Sequence, residues 1–321
     1  MFDMQKLVQQ KTVITLMGPT ASGKTSLGIA LAKALETEVI SVDSALIYRH
    51  MDIGTAKPDS EEQQGIAHHL IDIIEPEARY SVANFRKDVL GLIDALHQAQ
   101  KIPILVGGTM MYFNALINGL SPLPQACQTT RAEIENTLRQ HGPSILHNEL
   151  AAIDPASAER IHANDPQRLI RAIEVYRLSG KSLSELQNTK AKPLPYNFLQ
   201  FSIMPNDRAE LHQRIARRFD MMLAAGFEQE VRQLRARSGL SIDLPSMRSV
   251  GYRQMWQYLD GDLNYAEMRE RGIIATRQLA KRQVTWLRGW PALNQLDTLA
   301  SDNLEKVHKI LASSSAIDGV H

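Results

Sequence analysis

Gly18-Pro19-Thr20-Ala21-Ser22-Gly23-Lys24-Thr25 completes a G-x-x-x-x-G-K-[ST] pattern. In a loop of this kind the glycines let the backbone curl, so that successive N–H groups converge on one diphosphate. Lys24 adds a point charge, and Thr25 is positioned to offer its hydroxyl to a magnesium ion that bridges phosphate oxygens. All eight residues are therefore expected to hold a diphosphate. Asp43, at the tip of an apolar run, is the second chemical candidate. A carboxylate there can hold magnesium through water or take a proton from an attacking nucleophile, and both roles stay open. Toward the C-terminus Arg269, Arg271, Arg277, Lys281, Arg282 and Arg288 stand against the single acid Glu270, with Trp286 and Trp290 close by. Arg277, Lys281 and Arg288 share one face at helical spacing, the footprint expected for a nucleic-acid backbone. A solvated helix face beside core tryptophans has the same composition.

Other groupings are weaker. Arg168 and Arg171 lie three apart on one helix face, where surface salt bridging explains them equally well. Met110-Met111-Tyr112-Phe113 and Met221-Met222 could line an apolar pocket, but methionines at helical positions are more often core filler. His68-His69 reads as packing, since neighbours on a strand point opposite ways and no third metal ligand is spaced nearby.

The surrounding pattern supplies supports for these groups. Thr12 to Met17 reads as a buried strand and Ser26 to Leu35 as an amphipathic helix, which sets the glycine loop on a helix N-terminus. Glu38 to Val42, Leu70 to Ile74 and Ile102 to Val106 read as further strands, the last ended by Gly107-Gly108-Thr109. Ser81 caps a helix with Val82, Phe85, Val89, Leu92, Ile93 and Leu96 on one face. Such alternation implies an α/β fold with a parallel sheet covered on both sides, whose ligands sit at the carboxyl ends of the strands, where Lys24, Asp43 and Thr109 fall. From about Arg131 to Ser184 only helices are expected, punctuated by Asp154-Pro155 and Asp165-Pro166 as cap and first helical position. Phe198 to Met204 then reads as a strand returning to the sheet, followed by helices with Leu211, Ile215, Phe219 and Leu223 inward and from about Tyr265 to Leu287. The expected organisation is a core over 1–120, an all-helical insertion over 121–192, and the rest of the core with basic C-terminal helices over 193–321.

The 321 residues allow about two domains, and an apolar content of 44% provides a sizeable core. A net charge of +1 excludes neither nucleic acid nor small anions. The single Cys127 permits no internal disulfide and suits a reducing compartment. No segment has the length and apolarity of a signal peptide or a membrane span, so a cytoplasmic protein without a membrane partner is expected.

Taken in order, the motifs resemble one family over nearly the whole chain: the bacterial tRNA dimethylallyltransferases, or tRNA isopentenyltransferases. The resemblance is carried by Gly18 to Thr25, Val42-Asp43-Ser44, Asp52-Ile53-Gly54-Thr55-Ala56-Lys57-Pro58 and Val106-Gly107-Gly108-Thr109. Asp165-Pro166-Gln167-Arg168 through Tyr176, Val250-Gly251-Tyr252-Arg253 and Thr276-Arg277-Gln278-Leu279-Ala280-Lys281-Arg282-Gln283 complete it. Ala45-Leu46-Ile47 departs from it, since many relatives carry Met-Gln-Val or similar there.

The resemblance implies a P-loop NTPase-like sheet flanked by helices, with the insertion clasping the anticodon stem-loop of tRNA. It implies a monomeric enzyme that moves the dimethylallyl group of dimethylallyl diphosphate to N6 of adenine 37, with Mg2+ as cofactor held near Thr25. Asp43 is then the base, and Lys24, Thr25 and Arg218 stabilise the leaving diphosphate, with Arg214 assisting from the same R-x-x-x-R-F helix. RNA contact is implied for Asp43, Ser44, Ala45, Leu46, Thr109 and Arg131, and for Gln167, Arg168, Leu169, Ile170 and Arg171. It is implied also for Arg248, Ser249, Val250, Gly251, Tyr252 and Arg253, and for Lys281, Arg282, Gln283, Val284, Thr285, Trp286, Leu287 and Arg288. Three other readings share some of these features. A small-molecule kinase of the nucleoside-monophosphate type would not need the basic C-terminal helix. An RNA-binding protein, non-enzymatic or an ATPase, would use the same basic stripe but leaves Asp43 without a chemical task. An enzyme that prenylates free AMP should lack the insertion and the basic stripe.

Overall fold

The computed structural model describes residues 2–189 and 192–316. Among these residues six strands form one parallel sheet: β1 (Thr12–Met17), β2 (Val39–Val42), β3 (His68–His69), β4 (Ile104–Gly107), β5 (Asn197–Met204) and β6 (Asn294–Asp297), in the order β3-β2-β4-β1-β5-β6. Every residue of β1 is buried, as a central parallel strand requires. Burial does not alternate along it: on one face Leu16, Ile104 and Phe201 share an apolar core with Leu31 and with Val307 and Leu311 of the last helix, and on the other face Val13, Thr15 and Met17 are fully buried as well.

The third strand departs from expectation. Extended pairing covers only His68 and His69, because Leu70 and Asp72 take positive φ values of 60° and 55° and break the run expected from Leu70 to Ile74. Ile74 makes only an isolated bridge with Tyr48. His69 meets Glu38 at 2.6 Å and His68 faces the carbonyl of Ile66 at 2.8 Å, so the pair is used in packing.

All strands point the same way, so the turns after β1, β2 and β4 leave one edge together. Two glycines permit this. A Cβ on Gly107 would lie 2.0 Å from the Val42 carbonyl oxygen, and one on Gly18 2.6 Å from that of Ile203. The helix Val82–Gln98 begins at Ser81 with a capping box closed by Asn84 and buries Phe85, Val89, Ile93 and Leu96.

The chain divides into two compact units, one made of the residues up to Asn114 together with those from Pro195 onward, the other of Ala115–Leu194. The strand pairing explains why the first is split in sequence: β5 comes from the far side of the intervening segment and pairs with β1 over Thr12 to Met17. The second unit is helical, with Gln128–His141, Pro143–Ile153, Pro155–Arg160, Pro166–Ser179 and Leu183–Gln187. Asp154 and Asp165 cap helices whose first residue is proline, as their spacing suggested. Its core is built from Ile134, Leu146, Leu150, Leu169, Ile173 and Val175. No helix among the described residues is long and apolar enough to cross a membrane.

Candidate active site

The glycine loop leaves β1 and ends on Gly23, which takes φ 88° and caps the helix Lys24–Ala34. Ala21 also has positive φ, 63°, so the loop is tightly wound. Two arginines of the helix Arg208–Ala224 close around it. Arg214 donates from Nε to the Ala21 carbonyl at 2.8 Å, and Arg218 donates to the Ala56 carbonyl at 3.3 Å. Lys24 folds back so that Nζ reaches the Pro19 carbonyl at 3.4 Å.

Lys24, Thr25, Asp43 and Arg218 line one cavity of about 160 Å³, together with Thr20 and Ala21 of the loop. Burial pushes the Lys24 ammonium down to about 8; the charge of Asp43 works to raise it and that of Arg218 lowers it further. Burial also lowers Arg218, opposed by Asp43. Two cations desolvated around one carboxylate are electrostatically short of negative charge, the condition an anionic ligand relieves.

Asp43 follows the last residue of β2. Its Oδ1 accepts from the Ala45 N–H at 2.9 Å, which orients the carboxylate and leaves Oδ2 to take a proton. The turn after β4 holds both neighbours of Asp43: the Thr109 N–H donates to the Val42 carbonyl at 3.2 Å, and Thr109 Oγ1 accepts from the Ser44 N–H at 3.0 Å.

Much of the remaining wall is apolar, with Ile215, Phe219, Met222, Val250 and Leu279. Met222 thus does line a pocket, whereas Met221 is exposed and Met110, Tyr112 and Phe113 are core residues. Ala45 and Leu46 are also on the cavity wall, as are Ser249, Val250 and Tyr252.

Sequence reasoning missed Glu230. Only 9% exposed, its carboxylate accepts from the N–H groups of Asp52, Ile53 and Gly54 at 2.8, 2.6 and 3.1 Å and from the Tyr252 hydroxyl at 2.5 Å. It thereby holds the segment whose Gly54, Thr55 and Ala56 line the cavity. The signal was present in Phe227, Glu230, Val231 and Leu234, a charge inside an otherwise apolar stripe at helical spacing.

The residues expected on RNA separate by exposure. Ser44, Gln167, Arg168, Arg248, Arg253, Lys281, Arg282, Thr285, Trp286 and Arg288 are exposed, Trp286 at 45%. Leu169, Ile170, Gly251, Tyr252, Gln283 and Leu287 are buried, and Val284 packs against the core, so their side chains support such a surface without forming its face. The reason on the helix Tyr265–Arg288 is its period: Ala280, Gln283 and Leu287 form the inward stripe that turns Lys281, Arg282 and Arg288 outward. Arg277 is less exposed than Lys281, Arg282 and Arg288, and its Nε is buried. Arg131 and Arg171 are also redirected. Both bind the fully buried Glu174 carboxylate, at 2.9 and 2.7 Å, and Arg171 also donates to the Pro124 carbonyl. Burial pushes the Glu174 carboxyl up, but hydrogen bonds from Arg171, Arg131 and the Cys127 N–H together hold it below its usual range.

The IPP transferase family model matches residues 46–290. Among solved structures, the tRNA isopentenylpyrophosphate transferase of Bacillus halodurans is 36% identical, with a TM-score of 0.71 over 95% of this chain and 97% of that one. The tRNA isopentenylpyrophosphate transferase of Staphylococcus epidermidis is 32% identical, with a TM-score of 0.68 over 94% and 99%. A eukaryotic dimethylallyltransferase acting on tRNA is 29% identical, with a TM-score of 0.79 over 94% of this chain and 78% of that one. The chain therefore belongs to the IPP transferase family.

Proposed function

We propose that the chain transfers a dimethylallyl group from dimethylallyl diphosphate to N6 of adenine 37, beside the anticodon of tRNA, releasing diphosphate. The observation that carries this reading is a single cavity in which a phosphate loop, a carboxylate and an apolar wall meet. A P-loop reads phosphates with backbone amides and is indifferent to what hangs from them. Ile215, Phe219, Met222, Val250 and Leu279 suit a five-carbon isoprenoid better than the ribose and acceptor of a small-molecule kinase. Family membership points the same way.

In the reaction, the N6 amine attacks C1 of the dimethylallyl group as its proton passes to Asp43. The C1–O bond breaks, and its electron pair leaves with the diphosphate. The loop amides, Lys24 and Arg218 stabilise the charge that grows on the leaving oxygens. An exocyclic purine amine is a weak nucleophile while it keeps its proton, which gives Asp43 its task. Magnesium fits the residues present. Thr25 is exposed on the cavity wall, and this ion keeps most of its shell as water and phosphate oxygen, so one protein hydroxyl suffices to hold it. When bound it would withdraw charge from the diphosphate.

Adenine 37 must leave its stack to reach a carboxylate inside a cavity. The exposed Lys281, Arg282 and Arg288 with Trp286 offer phosphate contact and a stacking face on the core unit, and Gln167 and Arg168 offer contacts on the helical unit. The enzyme is a cytoplasmic monomer in this reading, and its single Cys127 suits a reducing compartment.

The test is to incubate the protein and magnesium with labelled dimethylallyl diphosphate and tRNA, AMP or no acceptor, and with labelled ATP in parallel. Label is expected in tRNA alone; consumption of ATP with a small acceptor would overturn the reading. Replacing Lys281 and Arg282 together by alanine is expected to flatten the plot of log affinity for tRNA against log salt. The slope should fall by about 0.7–0.9 for each phosphate that the variant no longer neutralises. An unchanged slope would take both residues off the RNA.

A further inference from the structure

Gln283 occupies an unusual place for a residue of the basic helix. It turns inward, 8% exposed, and its amide touches two loops at once. Oε1 accepts from the Thr20 N–H of the phosphate loop at 3.0 Å, and Nε2 donates to the Gly108 carbonyl of the turn after β4 at 2.8 Å. Gly108 is shaped to receive it, since a Cβ there would stand 2.5 Å from Nε2 and 3.2 Å from the Gly18 carbonyl oxygen. From Gly108 the next residue, Thr109, binds the backbone on both sides of Asp43, at Val42 and Ser44. A continuous path of hydrogen bonds and backbone therefore runs from the diphosphate loop through Gln283 to the two residues that flank the carboxylate.

We propose that Gln283 is a positioning residue that sets the spacing between the diphosphate loop and Asp43. The inference rests on the prenyl-transfer reading, in which the donor phosphates lie on that loop and the acceptor amine meets Asp43. A primary amide is suited to the task because it presents one acceptor and one donor on a planar fork, which neither a carboxylate nor an apolar side chain does. The bond to Gly108 is buried and that to Thr20 partly buried, so losing either partner leaves a poorly solvated polar group. In-line displacement at carbon depends on the distance between nucleophile and leaving group, and displacement of a catalytic group by about 1 Å costs roughly a hundredfold.

Two substitutions separate positioning from space-filling. Gln283→Met keeps length and volume but removes both hydrogen bonds. It should lower kcat by about ten- to a hundredfold, with the Kd for tRNA and the KM for dimethylallyl diphosphate changed much less. Gln283→Glu supplies a carboxyl that mimics the amide only when protonated, as C=O toward Thr20 and O–H toward Gly108. Lys24, Asp43 and Arg218 share the cavity wall with it, so the wild-type enzyme has a pH profile of its own. Dividing the activity of each variant by that of wild type removes their contribution. The Gln283→Glu ratio should rise as pH falls and the new carboxyl protonates, at a pH set by burial against the attraction of Lys24 and Arg218, while the Gln283→Met ratio stays flat. A wild-type-like kcat for Gln283→Met, or parallel ratios for the two variants, overturns the proposal. An inert wild type in the same assay instead overturns prenyl transfer itself, and the positioning role with it.

Discussion

Asp43→Asn is expected to lower the single-turnover rate of prenyl transfer by roughly 10²–10⁴-fold, the range associated with loss of a positioned general base. The substitution is chosen because it disturbs little else. The amide oxygen can still accept from the Ala45 N–H, so the turn that carries Ser44 and Ala45 keeps its anchor, and Thr109 still holds Val42 and Ser44. What disappears is the basic oxygen that takes the N6 proton. Affinity for tRNA should stay close to that of wild type, because the exposed cations of the helix Tyr265–Arg288 are untouched. The measurement is a rapid-quench single turnover with enzyme in excess, beside a filter-binding titration of tRNA. Chemistry at a near-normal rate would remove Asp43 as the base.

The site was legible in sequence wherever chemistry depends on local spacing. The glycine loop needs only eight consecutive residues between a strand and a helix, and Asp43 needs only the end of a short apolar strand. The parallel sheet followed from alternating patterns, and the return of β5 from the run Phe198 to Met204. What escaped was everything decided by long-range packing. Glu230 reaches residues more than 170 positions away along the chain, and no local pattern reveals which backbone N–H groups a buried carboxylate will meet. Gln283 joins Thr20 and Gly108 across 263 and 175 positions, so its motif placed it on the RNA while its helical phase turned it into the core. The same distinction governs Arg131 and Arg171. The resemblance implied RNA contact for both, and they pair with the buried Glu174 on the helix Pro166–Ser179, the salt bridging that the sequence had left open for Arg171. The third strand failed for a local reason that sequence hides, two non-glycine residues with positive φ.

Lys24→Met should separate donor from acceptor. Lys24 is partly exposed as a residue but its ammonium is desolvated, and it shares its cavity with Arg218 and Asp43, so in the free enzyme it stands beside a second desolvated cation. A diphosphate bound there provides the missing negative charge, and a hydrogen bond to a charged group contributes about 1.5–3 kcal/mol. Removing it should weaken dimethylallyl diphosphate by roughly ten- to a hundredfold while tRNA affinity changes little; equal losses for both ligands would contradict this division. The pH dependence carries the same information with a definite sign. Burial holds the free-enzyme Lys24 at about 8, and diphosphate raises it by favouring the charged form. Donor affinity is therefore fully present below about pH 8 and declines as pH rises through that value, because binding must then take up a proton. Isothermal titration in buffers of different ionisation enthalpy should record that uptake above pH 8 in wild type and not in Lys24→Met, whose donor affinity should be flat over the same interval. Proton uptake that persists in the variant would assign the titration to another group of the cavity.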